Sequence, residues 1–139
     1  VASQLPEYNI TLPSWGARRV AVLGVDAGIK HEDVCRQVET LWNAVGCDSS
    51  AADFVLVIDA ATPRDDFDAV LLQFTACADP RRDRILDVQT GGRRIAFDAS
   101  SKVAGIRSDG TPVRACAPIL AMDKATRDLV DRRWAEYGL

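Results

Sequence analysis

Apolar residues along the chain form two continuous runs with a helical stripe between them. Residues 19–25 and 53–58 are apolar runs of strand length, which is typical of strands covered on both faces. Between them, apolar residues at spacings of three and four predict an amphipathic helix over residues 31–45, ended by Gly46. The predicted apolar stripe of this helix consists of Val34, Val38, Leu41, Trp42 and Val45.

A second helix is predicted after the second strand. Thr62 can cap it and Pro63 fits its first turn, while the carboxylates of Asp65 and Asp66 favour the positive end of the helix dipole. We expect this helix to run to about Cys77. The apolar residues that it is predicted to bury are Phe67, Val70, Leu71 and Phe74.

The following segment is predicted to form a hairpin. Two short strands, residues 84–88 and 94–97, flank the turn formed by Gly91 and Gly92. Residues 103–119 hold several glycines and prolines and are expected to be irregular.

The two ends of the chain differ in pattern. Residues 1–16 contain Pro6 and Pro13 and are predicted to form an extended arm or an edge strand. Residues 123–139 are predicted to form a C-terminal helix that Asp123 caps. Its apolar side holds Leu129, Val130 and Trp134. The whole pattern, βαβαββα, predicts an α/β fold with a parallel or mixed sheet flanked by helices.

Composition and charge narrow the classes of partner. With 139 residues and 47% hydrophobic content, the chain is expected to be one domain over residues 1–139. Its 17 basic and 20 acidic residues give a net charge of -3 and are spread along the sequence, so no nucleic-acid partner is expected. No apolar run approaches the ~20 residues that span a membrane, and no signal peptide is recognised. We therefore expect a cytoplasmic protein without a membrane partner.

The cysteines carry no recognisable motif. No two of them stand in a Cys-x-x-Cys pair, and all lie in apolar surroundings, so they are interpreted as small buried thiols in the reduced state. They are Cys35, Cys47, Cys77 and Cys116.

The sequence offers few residues for catalysis. Asp26 and Asp59 follow the two buried strands, where α/β sheets bind ligands, but a role in turns and caps is favoured. His31, the single histidine, has no partner at ligand spacing and is predicted to lie on the surface. Signatures of serine hydrolases, phosphate-binding loops and dinucleotide folds are absent. We predict no catalytic residue and no metal site in this chain.

Two other groups of residues remain open to alternative interpretations. Arg93 and Arg94 follow the glycine turn directly, so they could bind a phosphate through the planar guanidinium fork or could simply be solvated. Trp134 and Tyr137 could anchor an interface or pack in the core, whereas core packing is at least as well supported for Trp42.

The order and spacing of several short motifs resemble the C-terminal domain of the UbiD family, the decarboxylases that use prenylated FMN. Residues 63–65 read Pro-Arg-Asp, residues 77–83 read Cys-Ala-Asp-Pro-Arg-Arg-Asp, and residues 98–102 read Asp-Ala-Ser-Ser-Lys. The C-terminal segment, residues 130–139, closes the match, which covers nearly the whole chain.

The resemblance implies a place for the cofactor. In the family, a lysine four residues before the Asp-Ala pair reaches the flavin phosphate, and the matching position here is Arg94. The resemblance thus marks Arg94, together with Arg93 and Lys102, as the candidate cofactor-binding residues.

The resemblance also implies a partner. The segments that carry the family's catalytic arginine, glutamates and metal ligands have no match here, so prenylated FMN, a divalent metal and K+ are expected on a larger UbiD-like catalytic subunit. The chain is expected to be a standalone small subunit of this heteromeric decarboxylase or carboxylase of an aromatic or unsaturated acid, without catalytic activity of its own. The alternatives are a purely structural assembly subunit without cofactor contact and an independent ligand-binding α/β domain.

Overall fold

A five-stranded mixed sheet forms the centre of the fold in the computed structural model, which describes residues 9–17, 19–46, 52–117 and 122–137. The strand order is β1-β2-β3-β5-β4, in which β2, β3 and β5 are parallel and the edge strands β1 and β4 are antiparallel to their neighbours. The strands are β1 (Ile10–Thr11), β2 (Val20–Val25), β3 (Phe54–Asp59), β4 (Arg84–Leu86) and β5 (Ile95–Asp98). The predicted α/β fold is confirmed, including an edge strand within the N-terminal arm.

One helix packs on each face of the sheet. Because successive side chains of a strand point to opposite faces, Leu23 packs with α1 (His31–Val45) and Val22 packs with α2 (Phe67–Cys77). The predicted stripe of α1 is confirmed, since it is buried except for the half-buried Val45. Trp42 belongs to this core, and its indole nitrogen donates to the carbonyl oxygen of Ala52 at 3.0 Å.

The second helix begins later than predicted. Asp66 is its N-cap and accepts hydrogen bonds from the backbone nitrogens of Asp68 and Ala69 at 3.0 and 3.1 Å, so the prediction that Thr62 caps the helix is wrong. The helix buries Val70 and half-buries Phe74. Phe67 and Leu71, which were also expected in the core, are 49% and 43% exposed.

The hairpin between β4 and β5 is confirmed, with Arg84 opposite Phe97 and Leu86 opposite Ile95. The expectation that residues 103–119 are irregular is wrong in part. Two short antiparallel strands, β6 (Gly105–Ile106) and β7 (Pro112–Val113), form a second hairpin. Its turn includes Gly110, whose positive φ of 82° suits glycine.

The C-terminal helix is confirmed in part. Asp123 caps α3 (Lys124–Arg132) by accepting from the backbone nitrogen of Thr126 at 2.9 Å, and a 3-10 turn, Trp134–Tyr137, follows. Residues 1–8 and 138–139, which were assigned to the arm and the helix end, lie outside the described residues.

Two of the cysteines differ from the prediction of free thiols. Cys77 and Cys116 form a disulfide between the end of α2 and the segment after β7, with their Cα atoms 4.5 Å apart. The backbone nitrogen of Ala117 donates to the carbonyl oxygen of Ala76 at 3.3 Å, so the two segments run side by side. Cys35 is a half-buried free thiol, and Cys47 lies outside the described residues. In the described part of the chain, every helix is too short or too polar to cross a membrane.

Candidate functional site

The carboxyl end of β5 places a buried carboxylate at the edge of the parallel strands. Asp98 ends the strand, and one of its oxygens accepts from the backbone nitrogen and the hydroxyl of Ser100 at 3.1 and 2.6 Å. The other oxygen lies 2.7 Å from Nδ1 of His31, the first residue of α1. The sheet edge and the helix start are thus joined by an ion pair.

The prediction that His31 lies on the surface is wrong, since its side chain is only 17% exposed. The hydrogen bond with Asp98 raises the pKa of His31 to about 9, so the imidazole is protonated at neutral pH. Burial would raise the pKa of Asp98, but the hydrogen bond from His31 and the charge of Lys102 outweigh it and lower the pKa to about 2.

A second carboxylate, Asp83, is completely buried beside this pair. It accepts hydrogen bonds from Nη2 of Arg82 at 2.6 Å and from the guanidinium of Arg107, and its backbone carbonyl accepts from the nitrogen of Asp98 at 2.9 Å. Burial opposes ionisation of Asp83, but the bond from Arg82 and the backbone bond from Asp79 prevail and lower its pKa. Asp83 is therefore a buried anion held by arginines.

Lys102 lies between the two carboxylates. Its ammonium donates to the carbonyl oxygens of Asp98 and Ser100 at 2.6 and 3.1 Å, and it lies 3.4 Å from the carboxylate of Asp98 and 3.7 Å from that of Asp83. Burial lowers the pKa of Lys102, and the two carboxylates oppose this shift. We call the whole group the charge cluster; it consists of His31, Arg82, Asp83, Asp98, Lys102 and Arg107.

The charge cluster does not have the character of a metal site. Ligand atoms of His31, Asp83 and Asp98 do lie within 4.8 Å of one another. However, the guanidinium and ammonium groups already occupy the carboxylate oxygens, and a metal requires a neutral imidazole, whereas His31 is protonated. The absence of a metal site from this chain stays a prediction.

A cavity of about 770 Å³ opens beside the charge cluster. Its wall is formed by the start of α1 on one side and by the segment from Lys102 into the second hairpin on the other. Ile29 and Ile106 add apolar surface, and the side chains of His31, Asp98, Lys102 and Arg107 are at its charged end. This volume is typical of small-molecule sites.

The other two predicted cofactor-binding residues lie at the β4–β5 hairpin. The guanidinium of Arg94 is buried and donates to the carbonyl oxygens of Trp42, at 3.2 Å, and of Gly46, so it binds the C-terminal end of α1. Arg93 is exposed, and its Nε donates to the carbonyl oxygen of Thr90 at 3.3 Å. The structure thus separates the two arginines by environment, and their contact with a cofactor stays a prediction.

The remaining candidates have structural partners or are exposed. Asp59 accepts hydrogen bonds from the backbone nitrogen and hydroxyl of Ser101, as expected for a carboxylate that holds a turn, and Asp26 is exposed. Trp134 and Tyr137 pack against each other with ring centroids 6.2 Å apart and are 55% and 46% exposed, so the core alternative is excluded for them in this chain.

Lys102 is the one member of the charge cluster that was predicted as a site residue; the other five, His31, Arg82, Asp83, Asp98 and Arg107, were missed. Asp83 closes the quoted Asp-Pro-Arg-Arg-Asp run, which was a usable signal, since the backbone nitrogen of Asp79 donates to the Asp83 carboxylate at 2.8 Å. Arg107 is 24 residues away in a segment without a pattern, and no sequence signal identified it.

Solved structures of other proteins show a similar fold. No known family model matches the sequence. The fold matches vanillic acid decarboxylase of Sedimentibacter hydroxybenzoicus, ShVdcCD, in its open form, with a TM-score of 0.51, 12% identity and 98% of this chain covered. The open form of this enzyme with truncated ShVdcD gives a TM-score of 0.52 at the same identity and coverage.

The fold of this chain is similar to that of a part of the vanillic acid decarboxylase chain. The resemblance predicted from the motifs is therefore confirmed for the fold. The chain spans 30% of the length of the matched decarboxylase chain, so most of that protein lies outside the match.

Proposed function

We propose that this chain is a small subunit of a heteromeric UbiD-like decarboxylase or carboxylase that acts on an aromatic or unsaturated carboxylic acid. The observation that carries the proposal is the match in fold over 98% of the chain to 30% of a vanillic acid decarboxylase chain. The larger UbiD-like partner supplies the catalytic residues and metal ligands, and this chain completes the complex.

The C-terminal helix offers the surface for this assembly. Not one described residue of α3 or of the 3-10 turn after it is buried, and yet α3 is amphipathic. Leu129, Trp134 and Tyr137 expose about half of their surfaces. Aromatic side chains of this kind dominate the binding free energy when a partner covers them, so we assign this surface to the larger chain.

Among the described residues, one point fits the predicted cofactor, prenylated FMN. When bound, this cofactor supplies the electron sink for loss of CO2. The exposed Arg93 follows Gly91 and Gly92, where no atom lies within 4 Å of an added Cβ, so a phosphate held by the larger chain can approach both the backbone and the guanidinium. Arg94 and Lys102 direct their donors inward and hold α1 and the charge cluster in place.

Co-expression with the UbiD-like large chain of the source organism tests the proposal. We expect the purified complex to contain flavin and to release CO2 from an aromatic acid, and we expect the large chain alone to be less active. Arg93→Ala should lower flavin content, because a charge-assisted hydrogen bond contributes about 1.5–3 kcal/mol. Arg19→Ala, at another exposed arginine, is the control. Equal activity of the large chain with and without this subunit would contradict the proposal.

The purely structural alternative has support of its own in the inward-facing Arg94 and Lys102. It predicts that Arg93→Ala leaves flavin content unchanged while the complex still requires this chain. Flavin content per complex therefore separates assembly alone from assembly with cofactor contact.

The cytoplasmic location is also a proposal. A reducing cytoplasm would keep Cys77 and Cys116 as thiols, whereas an oxidising compartment would preserve their disulfide. Alkylation of thiols at the moment of cell lysis, followed by mass spectrometry of the two cysteines, distinguishes the two locations.

A further inference from the structure

The charge cluster holds more positive than negative charge. Both arginines pair with Asp83, whereas Asp98 pairs with Lys102 and His31. The arginines are ionised at every physiological pH, so their two charges balance those of the two carboxylates. His31 adds a further positive charge through its pair with Asp98, and Lys102 adds another in its protonated form.

Acidic side chains around the charge cluster compensate this excess only from the side that is exposed to water. On the rim of the cavity, Asp33 pairs with Arg36, and the exposed Glu32 accepts from the hydroxyl of Ser108 and interacts with the charges of His31 and Arg107. Asp79 lies near Arg82, but its carboxylate is exposed to water and bonds to backbone nitrogens. An excess of positive charge that is largely removed from water is costly unless an anion compensates it.

The excess charge is accessible from the cavity. His31, Lys102 and Arg107 all line it, with side chains 17%, 7% and 9% exposed. The same wall includes the first turn of α1, a 15-residue helix whose N-cap, Lys30, makes no side-chain capping hydrogen bond. The helix dipole adds partial positive charge at this point.

We propose that this cavity binds a small anionic ligand, a phosphate or a carboxylate, whose oxygens face His31 and Arg107, while Lys102, whose ammonium donates inward, adds positive charge behind them. The apolar surface of Ile29 and Ile106 at the same cavity suits a ligand with an apolar body attached to the anionic group.

This anion site differs from the proposed flavin phosphate contact. The described residues that line the cavity do not include Gly91, Gly92, Arg93 or Arg94. The inference also does not depend on the proposed partner, because all the residues that form the site belong to this chain. Its failure would leave the proposed decarboxylase subunit untouched, and the reverse also holds.

The single histidine provides a direct probe, since its imidazole resonances are unique in the NMR spectrum. The full chain is titrated at pH 7 with inorganic phosphate and, separately, with benzoate, at an ionic strength held constant with NaCl. We expect a saturable shift of the His31 resonances with at least one of the two anions. Saturation by phosphate alone identifies a phosphate site, and saturation by benzoate alone identifies a carboxylate site.

Arg107→Gln should weaken the binding roughly tenfold, as expected for loss of one charge-assisted hydrogen bond, while the matched surface variant Arg19→Gln should bind as the wild type does. Because Arg107→Gln could also disturb the fold, Lys30→Gln on the exposed rim serves as a second variant, with an expected loss of roughly threefold. The proposal is overturned if neither anion shifts the resonances more than NaCl does, or if Arg19→Gln weakens binding as much as Arg107→Gln.

Discussion

The charge cluster and the C-terminal helix distribute charged and apolar side chains in opposite ways. In the charge cluster, ionised groups are buried against each other, and Asp83 is not exposed at all. Along α3 and its 3-10 turn, ion pairs such as Lys124 with Asp128 lie in water, and the apolar Leu129 and Trp134 are exposed beside them.

This difference in burial indicates different roles for the two regions. Buried ion pairs that lose one partner leave an uncompensated charge, so the charge cluster controls the stability of the isolated chain and the shape of the cavity. Exposed ion pairs contribute little, and exposed apolar side chains gain stability only when a partner covers them. The C-terminal helix is therefore the surface that we propose for assembly.

The largest effect is expected for Asp83→Asn. The substitution keeps the shape of the side chain but leaves Arg82, Lys102 and Arg107 without their common anion, so the free energy of unfolding should fall by about 3–5 kcal/mol. Urea denaturation measures it. Asp128→Asn in the exposed pair on α3 is the matched control, with an expected change below about 0.5 kcal/mol. Equal effects of the two variants would remove the distinction between the regions.

The pair of His31 and Asp98 should make stability depend on pH. The pKa of His31 is raised in the folded chain to about 9 from the usual 6.5, so its stabilisation is complete below pH 6.5 and is lost as the pH rises to 9. This shift corresponds to roughly 3 kcal/mol. The pKa of Asp98 is lowered to about 2, so its contribution is lost as the pH falls from 3.8 towards 2.

His31→Gln tests this assignment. The free energy of unfolding is measured by denaturation of the wild type and the variant at pH 6 and pH 9. The two proteins should differ less at pH 9 than at pH 6, because only the wild type loses a charged pair between these pH values. A constant difference between the two proteins at both pH values would show that His31 does not carry the effect.

The two tryptophans Trp134 and Trp42 allow a direct comparison of interface and core. Trp134→Ala should leave the melting temperature of the isolated chain unchanged and weaken association with the large chain by about 2 kcal/mol, as for an interface anchor. Trp42→Phe in the core should lower the melting temperature instead. Calorimetric melting and binding titration provide the two readouts, and a stability loss in Trp134→Ala would place that side chain in the fold.

The smallest effect is expected at the β4–β5 hairpin. Arg94→Ala should lower the free energy of unfolding by about 1.5 kcal/mol, because the guanidinium donates to the carbonyl oxygens of Trp42 and Gly46. Arg93→Ala, with its exposed side chain, should change it by less than about 0.5 kcal/mol. Urea denaturation of both variants measures the contrast, and a larger loss in Arg93→Ala would reverse the assignment.

Sequence reasoning predicts those parts of this fold in which a local pattern has one structural solution. The stripe of α1 with Gly46 at its end fixes both helix bounds, and the glycine turn fixes the β4–β5 hairpin. The start of α2 was wrong because Thr62, Asp65 and Asp66 are all good caps, and only tertiary contacts choose among them.

The site depends on contacts between distant residues and was therefore mostly missed. His31 and Asp98 are 67 residues apart, and Cys77 and Cys116 are separated by 39. Neither spacing carries a signal, because both pairs form only when the fold brings the distant segments together. A histidine without neighbours at ligand spacing therefore appears as a surface residue until the fold is known.

Association with a larger UbiD-like chain tests the central claim most directly. The chain and the UbiD-like chain of its source organism are mixed at equal concentration and analysed by size-exclusion chromatography with light scattering. We expect one species that contains both chains. When Leu129 and Trp134 are replaced by alanine, we expect this chain to be absent from that species. Separate elution of the unmodified chains at concentrations of tens of micromolar would contradict it.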